Sequence, residues 1–505
     1  MSIAAVSLAS LSQSLSSATI NTATTSPSAA SSTDGTVAAS NVSLQATSAA
    51  VDPTYSFPQM RYSWASSAND DISEVMRGNL RASAGNGGIS ALLKGLGSSL
   101  LGRFSSTQTA YSQVGTNYIS GGTAGVSAAD AVWKAQYAEN TISLTLTTTS
   151  NKQVTVAIAF DQTHQEVNNS LSVQISSTAT LTQEESAAIA ALATGFETAL
   201  QGIGRNSTTS QQTTLSTIDV SGLMDFDPAV LASVDLKVSE AARYVGLKSL
   251  DFHADSSSRR FAMKGIDGDV SVKVDLSQPL AIGSKAQQQA SIERYLKQFD
   301  AANARAQGEA QLVGQFKSIF SQLHSSYPTP SGTAKPLPSA FTAAREQWLS
   351  GLADFQASMS GEFSNGLSGK LTKSGELDYL VSQKTTVISG NTRIRAAQSE
   401  SAALTATIMK SRNNATLDIG LGNYDVFKIS DSSSFSSGFS INVRDDYVET
   451  ATLKRIVSQL MHYEKIVNYK AEDTRETAKS LSDEKDLLAP ETQGIDWRQL
   501  GSGFA

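Results

Sequence analysis

Residues 260–275 read RFAMKGIDGDVSVKVD, and this stretch gives the clearest indication of the fold. Asp267-Gly268 is a favoured two-residue turn of type I′, and alternating apolar residues flank it. Arg260 and Asp275 would then form a cross-strand ion pair on the solvent side. The pairs expected on the apolar side are Phe261–Val274, Met263–Val272 and Gly265–Val270. The stretch therefore predicts an antiparallel hairpin with one buried face.

Alternating apolar residues also predict strands on the N-terminal side of this hairpin. The segment Leu247–His253 would add a third strand, beyond the loop Asp255–Ser258. An earlier hairpin would turn at Ser150-Asn151-Lys152, because Asn tolerates the left-handed conformation that such loops need. The pairs expected in that earlier hairpin are Ile142–Phe160, Leu144–Ile158 and Leu146–Val156.

Start signals and apolar spacing predict several amphipathic helices. Thr182-x-x-Glu185 has the form of a capping box, and Asp227-Pro228 has the form of an N-cap followed by proline. The helix after Thr182 would end at Gly202 and bury Ile189, Leu192, Phe196 and Leu200. Further apolar stripes of helical spacing lie at Asp70–Leu80, at Gln287–Leu323, and at Trp348, Leu352, Phe355 and Met359.

The last third of the chain contains both strand and helix patterns. Residues 377–412 indicate a meander around Ser389-Gly390-Asn391, and Phe427 and Ile429 can pair with Val443 and Ile441 across a serine-rich loop. From Tyr447 to about Lys485, apolar residues recur at the spacing of a coiled-coil seam, which predicts a long helix. Its first half would pack on its own sheet, and an intermolecular coiled coil is the alternative. The seam residues that would contact a partner are Leu453, Val457, Leu460 and Val467.

These patterns together predict an α+β fold. Antiparallel hairpins and meanders would pack with amphipathic helices, after a disordered N-terminal leader and before a long C-terminal helix. The boundary between two domains would fall at 328–338, which holds four of the 10 prolines. The expected segments are a leader at 1–54, a Gly-rich loosely structured part at 55–140, an α+β domain at 141–327, the Pro-rich linker at 328–338, a second α+β domain at 339–487 and a tail at 488–505.

The leader has an unusual composition. Of residues 1–50, 33 are Ser, Thr or Ala, and Asp34 is the only charged residue. Such a segment buries too little apolar surface to offset the entropy of ordering its backbone. Leu8, Leu11 and Leu15 form a weak helical stripe that could bind a partner. This N-terminus resembles those of substrates of bacterial type III and flagellar export machines, which implies an export segment; an inert low-complexity tail is the alternative.

Charge and cysteine content exclude several classes of function. The net charge is -7, whereas nucleic-acid scaffolds usually carry a basic face, so no nucleic-acid partner is expected. The chain has no cysteine, which excludes disulfides and thiolate chemistry. No stretch has the roughly 18 continuous apolar residues of a transmembrane helix. The first basic residue is Arg61, so a conventional signal peptide is not expected.

The sequence contains no recognisable catalytic, metal or phosphate motif. The four histidines are dispersed, and none belongs to an HxxxH or HExxH arrangement. Gly361-x-x-x-x-Gly366 has the spacing of a phosphate loop, but Leu367 occupies the position of its lysine. We therefore expect no cofactor and no metal, and assign no catalytic residue. Carboxylates that the fold brings together could still form a hydrolytic pair.

Three hypotheses about function follow. The first is a non-enzymatic bacterial protein, secreted or at the cell surface by a route without a conventional signal peptide, that acts through contact with protein partners. The second is a secreted hydrolase of polysaccharide or peptidoglycan that uses carboxylates from separate segments. The third is an intracellular, cytoplasmic assembly protein with a flexible N-terminal arm. The long C-terminal helix could also mediate an oligomer.

Overall fold

A computed structural model describes residues 59–84, 88–106, 110–120, 138, 140–161, 169–206, 217–239, 246–265, 268–327, 337–367, 370–412 and 415–492. These residues form one antiparallel sheet of 15 strands. The leader, with Leu8, Leu11 and Leu15, and most of the proline-rich segment lie outside the described residues.

The strands alternate in direction throughout the sheet. Their spatial order is β1-β2-β5-β4-β3-β6, and from β6 to β15 it follows the order of the chain. The strands are β1 (Gln59–Trp64), β2 (Tyr111–Ser120), β3 (Asn140–Thr148), β4 (Gln153–Asp161), β5 (Ser170–Ser177), β6 (Leu231–Ser239), β7 (Leu247–Asp255), β8 (Ser258–Gly265), β9 (Asp269–Asp275), β10 (Asp354–Leu367), β11 (Lys370–Ser389), β12 (Arg393–Lys410), β13 (Tyr424–Asn442), β14 (Tyr447–Val467) and β15 (Lys470–Asp486).

Helices cover one face of this sheet. The first five pack over its N-terminal strands, α6 and α7 pack over the middle, and α8 packs over β13 and β14. The helices are α1 (Asp71–Ala82), α2 (Gly88–Leu93), α3 (Leu96–Gly102), α4 (Gln183–Ala191), α5 (Ala193–Asn206), α6 (Lys285–Ala306), α7 (Ala310–His324) and α8 (Ser339–Trp348).

An aromatic cluster joins α6 and α7 to the centre of the sheet. Tyr295 meets Phe355 edge to face with ring centroids 5.0 Å apart, and Phe299 meets Phe320 in the same way at 5.1 Å. Edge-to-face pairs place the positive ring edge on the negative ring face, so they add to the gain from burial. Phe316 and Tyr379 complete the cluster. These rings fix the height at which the two helices lie above the sheet.

A buried ion pair fixes the lateral position of α6. Both terminal nitrogens of Arg294 donate to the carboxylate of Glu400 on β12, each at 2.7 Å, and both side chains are 8% exposed. A two-point contact of this kind fixes orientation as well as distance. Gln398, two residues earlier on β12, donates to Ser350 and Thr385 in the same buried layer.

A second core lies beneath α8. Phe341 and Trp348 of this helix pack on Phe439, and Leu453 of β14 belongs to the same cluster. Asp446, in the turn before β14, accepts hydrogen bonds from the backbone N–H groups of Ser339 and Ala340 at the start of α8. A carboxylate at this position satisfies free N–H groups and interacts favourably with the helix dipole.

The expected long C-terminal helix is wrong, and with it the expected fold class. Residues 447–486 form the antiparallel strands β14 and β15, in a chain that is mostly one large sheet. The seam spacing coincides with a second pattern, because Ala451, Leu453 and Val457 also alternate as strand residues on one face. Pairing with β14 overrides the helix-favouring composition of β15, as tertiary context often does.

Three smaller predictions are also wrong. Asp227-Pro228 begins a turn before β6 and not a helix. The helix expected over Trp348, Leu352, Phe355 and Met359 does not form, because α8 ends at Trp348 and β10 begins at Asp354. The serine-rich segment between Phe427 and Ile441 is no loop, because it lies inside the single strand β13.

Both predicted hairpins form, but each register differs from the prediction by two residues. Ile142 pairs with Ile158 and not with Phe160, and Phe261 pairs with Val272 and not with Val274. A slip of two residues keeps every side chain on its own face, so apolar alternation cannot detect it. As a result Arg260 forms an ion pair with Asp251 on β7, at 2.7 Å, and not with Asp275. Asn151 has the expected left-handed backbone, with φ of 62°.

The helix predictions at α1, α6 and α7 are confirmed, as is the capping box of Thr182 and Glu185. The apolar stripe that follows this capping box is buried, but two helices, α4 and α5, carry it. The second continues through Gly202 to Asn206. The meander around Gly390 is present as β11 and β12.

Substitution of the buried ion pair tests its part in positioning α6. Arg294→Met should lower the free energy of unfolding by about 3–5 kcal/mol, because Glu400 is left buried and unpaired. The double variant Arg294→Met/Glu400→Leu should recover most of that loss. Urea unfolding monitored by circular dichroism measures both. The control is Arg260→Met at the exposed pair, which should cost at most about 1 kcal/mol; equal losses for the two single variants would contradict the assignment.

Candidate functional site

From β6 to β15, alternate residues of the sheet face away from the helices. We call this side the open face, and residues in direct register on it include His253, Arg260, Ser382, Ser401 and Ser434. Between Ser430 and Ser436 the exposed positions of β13 are Ser430, Ser432, Ser434 and Ser436, whereas Ile429, Phe435 and Phe439 point into the core. On β13 the open face therefore consists largely of short hydroxyl side chains.

A trough crosses the open face over β11–β14. Two cavities, of 310 and 670 Å³, share the four residues Thr386, Ala397, Gly438 and Thr452. These four residues are consecutive partners in the register of the four strands. Because Ala and Gly contribute almost no side chain, the sheet surface is lowest at this row, which forms the floor of the trough.

Two further rows form the walls of the trough. Each row runs in direct register across β11, β12, β13 and β14, two residues away from the floor along each strand. One wall is Lys384–Ser399–Ser436–Lys454. The other wall is Ile388–Arg395–Ser440–Thr450. The trough is thus lined by hydroxyl groups and has cationic side chains on both walls.

The cations of the trough differ in how far they are neutralised. Arg393 binds Glu449 at 2.5 Å, and this hydrogen bond holds the pKa of Glu449 below its usual range. Lys454 lies 3.7 Å from Glu484, and both side chains are mostly exposed. Lys384 and Arg395 form no ion pair with any residue that the structure describes. The trough therefore presents positive charge that the chain leaves available to an anionic group.

A second cluster on the open face is built around His253 of β7. Its Nδ1 lies 2.8 Å from Asp235 and its Nε2 lies 3.0 Å from Asp255. The hydrogen bond to Asp235 raises the pKa of His253 to about 9, with a further contribution from Asp255. Both ring nitrogens are engaged, so this histidine bridges carboxylates of β6 and β7 and offers no free nitrogen for general-base catalysis.

Two carboxylates of unequal character lie opposite each other on β9 and β10. Asp354 pairs in register with Asp275. Burial raises the pKa of Asp354, whereas hydrogen bonds from Ser277 lower the pKa of Asp275. Carboxylates whose pKa values are pushed apart are typical of acid–base pairs. Neither carboxylate lines the trough.

The other histidines show no metal site. His324 is buried, burial lowers its pKa to about 3, and its Nδ1 bonds to Tyr327. His462 lies beside Glu464, and His164 is outside the described residues. Among the described residues, no three His, Asp or Glu side chains converge as metal ligands would.

The partner-binding residues expected on the C-terminal helix lie instead on β14. Leu453 and Val457 are buried on the helix-covered face, and Leu460 and Val467 are half-buried. The trough itself was missed, because its rows join residues of four separate strands. The available signal was the even spacing of Ile429, Phe435 and Phe439 through the serine run of β13, which places all three on one face of a strand and the exposed serines on the other.

No protein-family model, curated protein or solved structure matches this chain. No helix in the described part of the chain is both long enough and apolar enough to cross a membrane. Function is therefore inferred from the geometry of the chain itself.

The pKa of His253 gives a test of its cluster. Since the folded pKa is raised from 6.5 to about 9, protonated His253 stabilises the fold fully below about pH 6.5, and this contribution disappears as the pH rises through 9. The free energy of unfolding of wild type should exceed that of His253→Gln at pH 6. This difference should be roughly 1–2 kcal/mol larger at pH 6 than at pH 9.5, after allowance for solvent screening. Urea unfolding at both pH values measures this; His324 titrates alike in both proteins. A difference independent of pH would contradict the bridge.

Proposed function

We propose that this chain is a non-enzymatic bacterial protein that acts by binding a protein partner through the open face of its sheet. The observation that carries the proposal is the trough, where hydroxyl groups and cations line a depression whose floor includes Ala397 and Gly438. Two of these cations, Lys384 and Arg395, have no ion pair among the described residues. A surface of this kind offers hydrogen bonds and charge at fixed spacing. These are the features that give an interface its specificity.

The proposal includes export from the cell or display at its surface. It is supported by the Ser/Thr/Ala-rich leader, which resembles bacterial export segments, and by a cysteine-free chain that would pass through an oxidising space without thiol chemistry. The leader would serve as the export or docking segment.

A hydrolase remains the second candidate because of Asp275 and Asp354. Their opposed pKa shifts fit an acid–base pair. It ranks second since the carboxylates lie outside the trough, and the depression that could hold a polymer contains Thr, Ser, Ala and Gly at its centre.

Photo-crosslinking from the trough tests the binding face. A photoreactive side chain at Ser436 should form an adduct with one partner protein in the source bacterium, and the same group at Lys264, elsewhere on the open face, should not. Gly438→Val should abolish the adduct by filling the floor. This variant should still fold, because a Cβ at Gly438 would meet no atom closer than 3.4 Å and Val favours strands. Equal labelling from both positions, insensitive to Gly438→Val, would count against the proposal.

The export part of the proposal has its own test. A reporter enzyme fused to residues 1–60 should appear in the culture medium or on the cell surface of the source bacterium. The matched control carries residues 61–120 in place of the leader and should stay inside the cell. Retention of both fusions would favour the cytoplasmic assembly hypothesis and end the export proposal.

A further inference from the structure

We propose that the trough binds an extended acidic segment of the partner, which lies across strands β11–β14 with two carboxylates four residues apart. This inference rests on the proposed function and specifies the chemistry of the partner. It is carried by the wall Lys384–Ser399–Ser436–Lys454, in which two lysines enclose two serines in direct register.

The spacing of the two lysines selects the ligand. Neighbouring strands lie about 4.8 Å apart, so three strand spacings place the Cα atoms of Lys384 and Lys454 roughly 14 Å apart. An extended peptide rises about 3.3 Å per residue, and its side chains alternate between two sides. Residues i and i+4 of such a peptide therefore point the same way and lie roughly 13 Å apart. An acidic residue at each of these positions can reach one lysine.

The centre of the trough suits the residues between the two carboxylates. The side chain at i+2 would lie over Ser399 and Ser436, whose hydroxyl groups can donate or accept hydrogen bonds. The low floor at Ala397 and Gly438 leaves room for the peptide backbone. Arg395, on the opposite wall, offers a third cation to a backbone carbonyl or to a further carboxylate.

The charges around the trough also limit where an acidic segment can lie. Glu484 continues the wall beyond Lys454, and the charge of Lys384 acts on Asp275 and Asp354 beyond the other end. Carboxylates of a ligand are therefore favoured between the two lysines and repelled outside them. This places the ligand in one position along the wall.

Other ligand classes fit the trough less well. A nucleic acid would need a broader basic surface than a chain of net charge -7 provides. It would also need aromatic side chains on which its bases could stack, whereas Tyr447 is the exposed aromatic residue beside the trough. A helix bound by its apolar face would need a groove of large apolar residues. Here Ile388 and Tyr447 are the exposed apolar side chains on the rim.

Two peptides of identical composition test the spacing. GSEGSGEGS carries its glutamates at i and i+4, and GSEGSEGGS carries them at i and i+3, on opposite sides of an extended chain. In fluorescence anisotropy with the full-length protein at low salt, the first should bind about fivefold more tightly, as expected for one additional exposed ion pair. The difference should shrink at high salt, because screening weakens exposed pairs.

Charge-reversed variants test the position. Lys384→Glu/Lys454→Glu should lose the preference for GSEGSGEGS and gain a preference for GSKGSGKGS over GSKGSKGGS. The matched control Lys237→Glu/Lys264→Glu reverses two exposed lysines elsewhere on the open face and should behave as wild type. Thermal unfolding of all variants establishes that they are folded.

The outcomes separate this inference from the proposed function. Equal binding of the two glutamate peptides would overturn the proposal that the trough binds an acidic segment. An equal loss of the peptide preference in the control variant would overturn it as well. If the Ser436 adduct still forms and is abolished by Gly438→Val, the proposed function stands even though the acidic-segment proposal fails. Binding of polygalacturonate to the trough, abolished by Gly438→Val, with no adduct and no peptide binding, would overturn both in favour of an anionic polysaccharide.

Discussion

Unbroken antiparallel register is the constraint on which the rest of this structure depends. From β6 to β15 the strands follow one another in chain order, so each strand is placed by the strand before it. A slip of one residue between two strands would move every apolar side chain beyond that point to the open face. The alignment of Lys384 with Lys454 exists only because three successive strand pairs keep their register.

The helix-covered face protects this register. The aromatic rings of α6 and α7 pack favourably on only one arrangement of the strands beneath them. Any other arrangement would separate Arg294 from Glu400 and leave a buried charge without its partner, which is energetically costly. Glu400 lies one residue from Ser399 on β12, on the opposite face of the strand. The buried pair therefore also fixes where a wall residue of the trough emerges on the open face.

The sequence revealed local structure better than long-range pairing, for identifiable physical reasons. Capping at Thr182 and the apolar stripes of α1, α6 and α7 depend on neighbouring residues, so they could be predicted. The hairpin registers could not be fixed, because alternation repeats every two residues and loop length decides between slips. At Leu453 and Val457 the seam spacing and the strand alternation coincide, and only pairing with β13 resolves them. No local pattern shows the trough, because its rows are formed by four strands.

The exposed parts of the sheet also explain how so large a surface can be specific. Ten of the 17 residues of the edge strand β15 are charged, which discourages pairing with a further strand of another chain. Within the trough the open face carries many uncharged hydroxyl groups, which bind water and ligands with similar strength and so favour no particular partner. Discrimination within the trough must then come from its charged positions. His253 and Arg260 form ion pairs with neighbouring carboxylates, whereas Lys384 and Arg395 of the trough form none with any described residue. Cations without an ion pair beside a depression in the sheet, more than the extent of the face, mark the trough as the place where a partner would be recognised.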